Sequence, residues 1–340
     1  MNGWKLVNPF ELKECELSEK INAESVSKVK LTKALLTLPD VLRFNGEIET
    51  ENVVLGSFGI GIISEAGANL FELEKGKRVF VEPTRPCGEC YNCINHEPSK
   101  CSNLLMAGED FDGFLRDFIS ADSGNIYLLP DSISGIDALF IGHVSLALSI
   151  IDKLDIKKGE YVAIVGSDNF AIILAQLLIY YQAVPIIIGD DKEELKIAKD
   201  SNIYYVLNTE ENYQKEIVNI TGGRYADKAV YVSDSDIPVS KVFSVVSFNA
   251  SVAFTGTSNK NITASFSQAV KKQLNICFVN TGYGNTASSI NIITNKAIDF
   301  SHLKLDYTEY KNIPETLQNM SDKLESDGKI HETVVKLSDF

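Results

Sequence analysis

The chain has 340 residues, long enough for two domains with separate cores. Hydrophobic residues make up 44% and charged residues 23%, the composition of a folded globular protein, which excludes a disordered or fibrous chain. With 32 Lys+Arg against 46 Asp+Glu the formal charge is -14, which repels phosphate backbones and anionic lipid, so neither nucleic acid nor a membrane is expected as a partner.

The opening Met-Asn-Gly-Trp-Lys lacks the apolar run of a secretory signal, so the expected location is cytoplasmic. Over the first 145 residues, short β-like runs such as Lys28–Lys33 and Arg78–Val81 alternate with Gly, Pro and Asn turns, which predicts an irregular β-rich domain. Within it, Cys87, Cys90, Cys93 and Cys101 form C-x2-C-x2-C-x7-C. Four closely spaced thiolates surround one Zn²⁺ tetrahedrally at ~2.3 Å and leave no position for substrate, so such a site staples a loop. Disulfides are the rival reading, disfavoured in a reducing compartment. An iron–sulfur cluster is another, since it also takes four cysteines. Spacing and context favour zinc, with His96 a bystander.

From Tyr161 the pattern changes to apolar strands alternating with helical stretches. Strands are expected at Tyr161–Val165, Val184–Ile188, Tyr204–Leu207, Ala229–Val232, Ser251–Thr255 and Ile276–Val279, with helices near Phe170–Gln182 and Lys192–Lys199. That alternation is the mark of a parallel sheet with crossover helices. The apolar run Phe170–Gly189 contains Gln176 and Gln182 and is broken by Pro185, so it reads as a buried helix and a buried strand rather than a membrane span. After Tyr283 come a helical segment and a terminal strand near Thr333–Leu337 that returns to the first domain.

The cysteine cluster follows Glu74-Lys-Gly-Lys-Arg-Val-Phe-Val-Glu-Pro83 and precedes Gly113-Phe-Leu-Arg-Asp-Phe118 and Leu129-Pro-Asp131. Together these segments resemble the zinc-containing alcohol dehydrogenase family of the medium-chain dehydrogenase/reductase superfamily. The likeness continues through Lys158-Gly-Glu-Tyr-Val-Ala-Ile-Val-Gly166 and Gly222-Gly-Arg-Tyr-Ala-Asp227 to Gly282-Tyr-Gly284. It implies an α/β chain with a GroES-like domain over residues 1–147, whose structural zinc lobe lies at 84–104. A Rossmann doubly wound parallel sheet over 148–282 and a return to the first domain over 283–340 complete it, with a cleft between the domains.

Members that oxidise alcohols hold a second, catalytic zinc with a cysteine, a histidine and a third cysteine or glutamate. All three are missing in the alignment. The family's Cys-x-x-Asp falls on Thr37-Leu-Pro-Asp40, so Thr37 replaces the cysteine, Asp40 is left without an obvious partner, and Pro39 removes the hydroxyl of the proton relay. The family's Gly-His-Glu falls on Gly56-Ser57-Phe58, and the third ligand position on Gly142, beside His143. One structural zinc per chain is therefore expected. Thr37, Ser57 and His143 are the candidates for a catalytic role, against the plainer readings of packing replacements and a histidine satisfied at a helix start.

The loop Gly166-Ser167-Asp168-Asn169-Phe170-Ala171 stands where the dinucleotide fingerprint wants G-x-G-x-x-G. Asp168 there either repels a pyrophosphate or caps the helix that follows. Gly189 takes the place of the acidic ribose reader, as in members using the phosphorylated cofactor, but Asp190 and Asp191 oppose a 2′-phosphate unless Lys192 compensates. Gly166, Ser167, Asn169, Phe170 and Asp190 are the candidate cofactor-binding residues, for NAD(H) ahead of NADP(H). The expected function is an NAD(P)-dependent oxidoreductase without catalytic zinc, moving hydride to a small-molecule carbonyl or activated double bond. The alternative is a non-catalytic relative that binds a ligand or protein partner through the old active site. The resemblance also implies a homodimer or homotetramer formed through the Rossmann sheet edge near Ile276–Val279.

Overall fold

Two short strands, β1 (Asn2–Asn8) and β2 (Glu11–Glu16), pair as an antiparallel hairpin ahead of β3 (Val26–Leu36) in the computed structural model, which describes residues 2–17, 26–67, 73–232, 237–256 and 265–338. In the first half of β3 every second residue, Ser27, Val29 and Leu31, is buried, the period of a pleated strand with one face on a core. The chain then turns through α1 (Leu38–Phe44) to β4 (Val53–Val54), β5 (Phe58–Glu65), β6 (Arg78–Val81) and β7 (Thr84–Arg85). After α2 (Tyr91–Ile94) come β8 (Leu105–Met106), β9 (Phe118–Asp122) and β10 (Ile126–Leu128), and then α3 (Ile141–Leu154).

From the end of α3 the sequence alternates. The strands are β11 (Tyr161–Val165), β12 (Val184–Gly189), β13 (Tyr205–Asn208), β14 (Ala226–Val232), β15 (Val246–Thr255) and β16 (Asn275–Phe278). Between and after them run α4 (Asn169–Tyr180), α5 (Lys192–Asp200), α6 (Tyr213–Ile220), α7 (Ser240–Val245), α8 (Ser267–Lys272) and α9 (Thr286–Thr294). The chain closes with β17 (Leu305–Glu309), α10 (Ile313–Asp327) and β18 (Glu332–Lys336).

Two compact units result, Met1–Gly142 with Lys304–Phe340 and His143–Leu303. In the first unit one sheet has the order β10-β6-β5-β3-β18-β17 with β9 also on β3, and β18 pairs antiparallel with Leu36–Lys33 of β3. The terminal strand thus returns to the first unit. Leu31, Val41, Phe44, Val79, Phe114, Leu115, Ile313 and Leu317 lie in its core.

The second unit is a six-stranded sheet in the order β13-β12-β11-β14-β15-β16, parallel throughout. Counted from β11 this is 3-2-1-4-5-6, the doubly wound Rossmann order, and its switch point lies between β11 and β14. Strands covered on both faces read as continuous apolar runs, and Val162–Val165 and Pro185–Gly189 are buried without interruption. The apolar stretch that invites a membrane reading is α4 followed by β12, in which Phe170–Leu178 are all buried. Among the described residues no helix is long and apolar enough to cross a membrane. The expected strands are present, although β15 begins at Val246 rather than Ser251.

Candidate functional site

Three groups of residues bear on function, two in the first unit and one in the second. The first is the cysteine lobe. Cys90 is the N-cap of α2, Cys93 lies inside that short helix, and Cys101 follows a 3-10 turn at Pro98–Lys100, so one turn of helix and one tight turn bring distant cysteines back to Cys87. Their four sulfurs all lie within 4.8 Å of one another. Four ligands at ~2.3 Å from a tetrahedral zinc stand about 3.8 Å apart. The Cys90–Cys101 sulfurs are 3.9 Å apart and the Cys101–Cys87 sulfurs 3.6 Å, so the donor set fits one zinc ion. The Cys90 thiol is held down at about 5, first by backbone N–H groups of Cys93 and Ser102, whereas desolvation and the neighbouring sulfurs push Cys93 up to about 12. Cys101 is lowered, chiefly by the Cys87 N–H. His96 is exposed and outside the group of four.

The second group is the set of positions aligned with a catalytic zinc. Thr37 is the N-cap of α1, and its backbone N–H donates to Asp40 Oδ2 at 2.9 Å, the N3-to-N-cap half of a capping box. The Thr37 hydroxyl donates to the same Oδ2 at 3.0 Å and approaches Ser57 Oγ at 3.2 Å, while Ser57 Oγ donates to Oδ2 at 3.0 Å. The other carboxylate oxygen accepts the Gly56 N–H at 2.9 Å and lies 3.8 Å from Nη1 of Arg43, whose Nη2 reaches Glu109 Oε2 at 2.5 Å. The expectation that Asp40 lacks a partner is therefore wrong. It is fully buried at the centre of a closed knot, because a buried carboxylate is tolerated only when its lone pairs are engaged. Arg43 and Glu109 were not foreseen. Arg43, three residues after Asp40 on a helix, was findable from spacing, whereas Glu109 comes from a remote loop.

At Gly142, the remaining position expected to hold a ligand, the space is closed by a ring. A Cβ added at Gly142 would stand 2.0 Å from Cε1 of Phe58 and 2.6 Å from its Cδ1. The phenyl group thus occupies the space a cysteine side chain at 142 would need. Thr37 meets Ser57, and Phe58 meets Gly142, within the first unit. Thr37 is buried within the knot, whereas Ser57 and Phe58 are half-buried. His143 belongs to the second unit, where its ring lies 6.2 Å from that of Phe170.

The third group surrounds the end of β11. Gly166 has φ 131°, a conformation that side-chain-bearing residues avoid, and its N–H donates to Ile188 O at 2.9 Å, turning the chain at the switch point. Asp168 is the N-cap of α4 and its Oδ1 accepts the Ala171 N–H at 2.8 Å. Of the two readings of this carboxylate, the cap is the observed geometry. The glycine turn and the Rossmann switch point fit a dinucleotide; Asp168, turned onto its own helix, engages one amide of that terminus. Asn169 and Phe170 form the first turn of α4, and Asp190 follows β12.

The alcohol dehydrogenase GroES-like domain family matches residues 25–131. A zinc-type alcohol dehydrogenase-like protein of Haemophilus influenzae is 25% identical over 280 residues, covering 82% of each chain. Sorbitol dehydrogenase of Bacillus subtilis is 23% identical over 78% of this chain and 76% of its own. Among solved structures, an Escherichia coli oxidoreductase/dehydrogenase of unknown specificity superimposes with a TM-score of 0.88 at 18% identity, over 99% of both chains. The short chain alcohol dehydrogenase RspB of Escherichia coli, complexed with NADH, gives 0.84 at 18% identity, again over 99% of both. These structures share the fold.

Proposed function

The chain belongs to the zinc-type alcohol dehydrogenase-like family of oxidoreductases, and from that premise we propose that it moves hydride between NAD(H) and a small-molecule carbonyl or activated double bond with no metal at the family's catalytic position. The observation that carries the metal-free reading is the Phe58 ring in the space beside Gly142, next to a Thr37–Asp40–Ser57 knot whose oxygens bond to one another. Cys87, Cys90, Cys93 and Cys101 would hold one zinc as a structural staple, with no position left for substrate. Bound nicotinamide supplies or accepts the hydride.

This chain's own residues orient and polarise. Gly166, Ser167, Asn169, Phe170 and Asp190 are the residues that would hold the dinucleotide near the switch point. Ser57 is the half-buried hydroxyl of the knot and the candidate to meet a substrate oxygen, to which it would donate only by turning its one proton away from Asp40 Oδ2; Thr37 holds Asp40 from the buried side. Simple alcohols lose the Lewis acid that would lower their pKa, so ethanol or sorbitol turnover should be negligible. For assembly, the exposed Phe278 on edge strand β16 supports a homodimer or homotetramer formed along that edge.

The absence of the expected zinc ligands at Thr37, Ser57 and Gly142 supports a second reading, a non-catalytic relative that binds a ligand or protein partner. Calorimetric titration with NADH and NADPH separates the two. Micromolar binding supports the oxidoreductase; no binding up to millimolar cofactor overturns it in favour of the second reading. Because Asp168 caps its own helix, Asp168→Gly should leave affinity nearly unaltered and cost a few tenths to about 1 kcal/mol of stability.

A further inference from the structure

In a doubly wound sheet the acidic residue that reads a ribose hydroxyl ordinarily ends the second strand. Gly189 ends β12 here and has no side chain to offer. Its side-chain space is taken by another residue. A Cβ at Gly189 would lie 2.5 Å from Ser167 Oγ and 2.8 Å from Leu195 Cδ2. Ser167 Oγ in turn donates to Glu194 Oε2 at 2.6 Å. The missing side chain at 189 thus lets a carboxylate in the first turn of α5 settle at the C-terminal ends of β11 and β12.

The neighbouring charges have other engagements. Asp191 Oδ1 accepts the N–H groups of Glu193 at 2.8 Å and Glu194 at 3.0 Å, capping α5 and fixing the turn that carries Glu194. Lys192, the cation nearest in sequence that would meet a 2′-phosphate, stands 3.6 Å from Glu210. A carboxylate accepts ribose O–H groups but repels a phosphomonoester bearing nearly two negative charges.

We infer that Glu194, positioned by Ser167, takes the adenosine ribose hydroxyls and makes the protein select the dinucleotide without a 2′-phosphate. The inference rests on the proposal that this chain uses a nicotinamide dinucleotide. It places the ribose acceptor on α5 instead of at Asp190 or at the end of β12.

Titration of the full chain with NADH and NADPH, for wild type, Glu194→Gln and Ser167→Ala, tests it, with a thermal melt on each variant. Wild type should bind NADH at least tenfold more tightly than NADPH. Glu194→Gln should weaken NADH about tenfold and bring the two affinities close together, as loss of a hydrogen bond to a charged acceptor does. Ser167→Ala should narrow the ratio in the same direction with the melt little changed. Equal wild-type affinities, or a ratio unmoved by Glu194→Gln, overturn the assignment while leaving the dinucleotide reading intact. A wild type that binds neither cofactor overturns both.

Discussion

The cysteine lobe and the Thr37–Asp40–Ser57 knot both gather polar side chains at one point of the first unit, and they satisfy them by different means. In the lobe four sulfurs lie within 4.8 Å of one another, and sulfur-to-sulfur contacts are weak hydrogen bonds. Such a cluster calls for a cation. In the knot one carboxylate accepts two hydroxyls and two backbone N–H groups and lies beside an arginine, so no demand for an ion remains. The contrast teaches that a cluster of polar groups can be satisfied by hydrogen bonds among its own members instead of by an ion. The Phe58 ring fills the space beside Gly142, and the buried Asp40 carboxylate finds its partners within the knot.

The contrast breaks most visibly at the lobe. Cys93→Ser should release the metal and lower the melting temperature by about 10 °C or more, because a structural zinc contributes folding energy directly. An unchanged melt with metal retained would show that the lobe does not depend on four thiolates. At the knot, Asp40→Ala removes the acceptor of the buried Thr37 hydroxyl and one of the two carboxylates beside the buried Arg43, and denaturant unfolding should register a loss of about 2–4 kcal/mol. Zinc content should stay the same. A smaller effect is expected from Gly142→Cys, which returns a thiol to a ligand position but drives it into the Phe58 ring. It should cost about 1–3 kcal/mol as overpacking does, and bind no additional metal. Extra zinc in that variant would mean that Phe58 yields readily.

Much of this was legible in the residues. The cysteine spacing and the six parallel strands follow from local pattern and order along the chain, whereas the assignment of positions 37, 57 and 142 to a zinc site is what the family resemblance implies. What escaped was non-local. Glu109 meets Arg43 from a loop 66 residues away, and the fit of Phe58 to Gly142 joins positions that no periodicity links. The fate of Asp168 was open for another reason. A capping carboxylate and an anion-repelling one occupy the same sequence position, and only the direction of its oxygen, 2.8 Å from the Ala171 N–H, distinguishes them. Glu194 carries no signal in the sequence, because the pattern expects an acidic residue at the end of β12, and only the Ser167 hydrogen bond brings the α5 carboxylate to the strand ends.

The most direct test of the central claim is the metal content of purified, chelator-washed protein by elemental analysis. With a complete donor set at Cys87, Cys90, Cys93 and Cys101 and a closed knot at Thr37, Asp40 and Ser57, the account predicts one zinc per chain, lost on Cys93→Ser and retained on Asp40→Ala. Two zinc ions per chain would contradict it, and would place a metal where the Phe58 ring now lies.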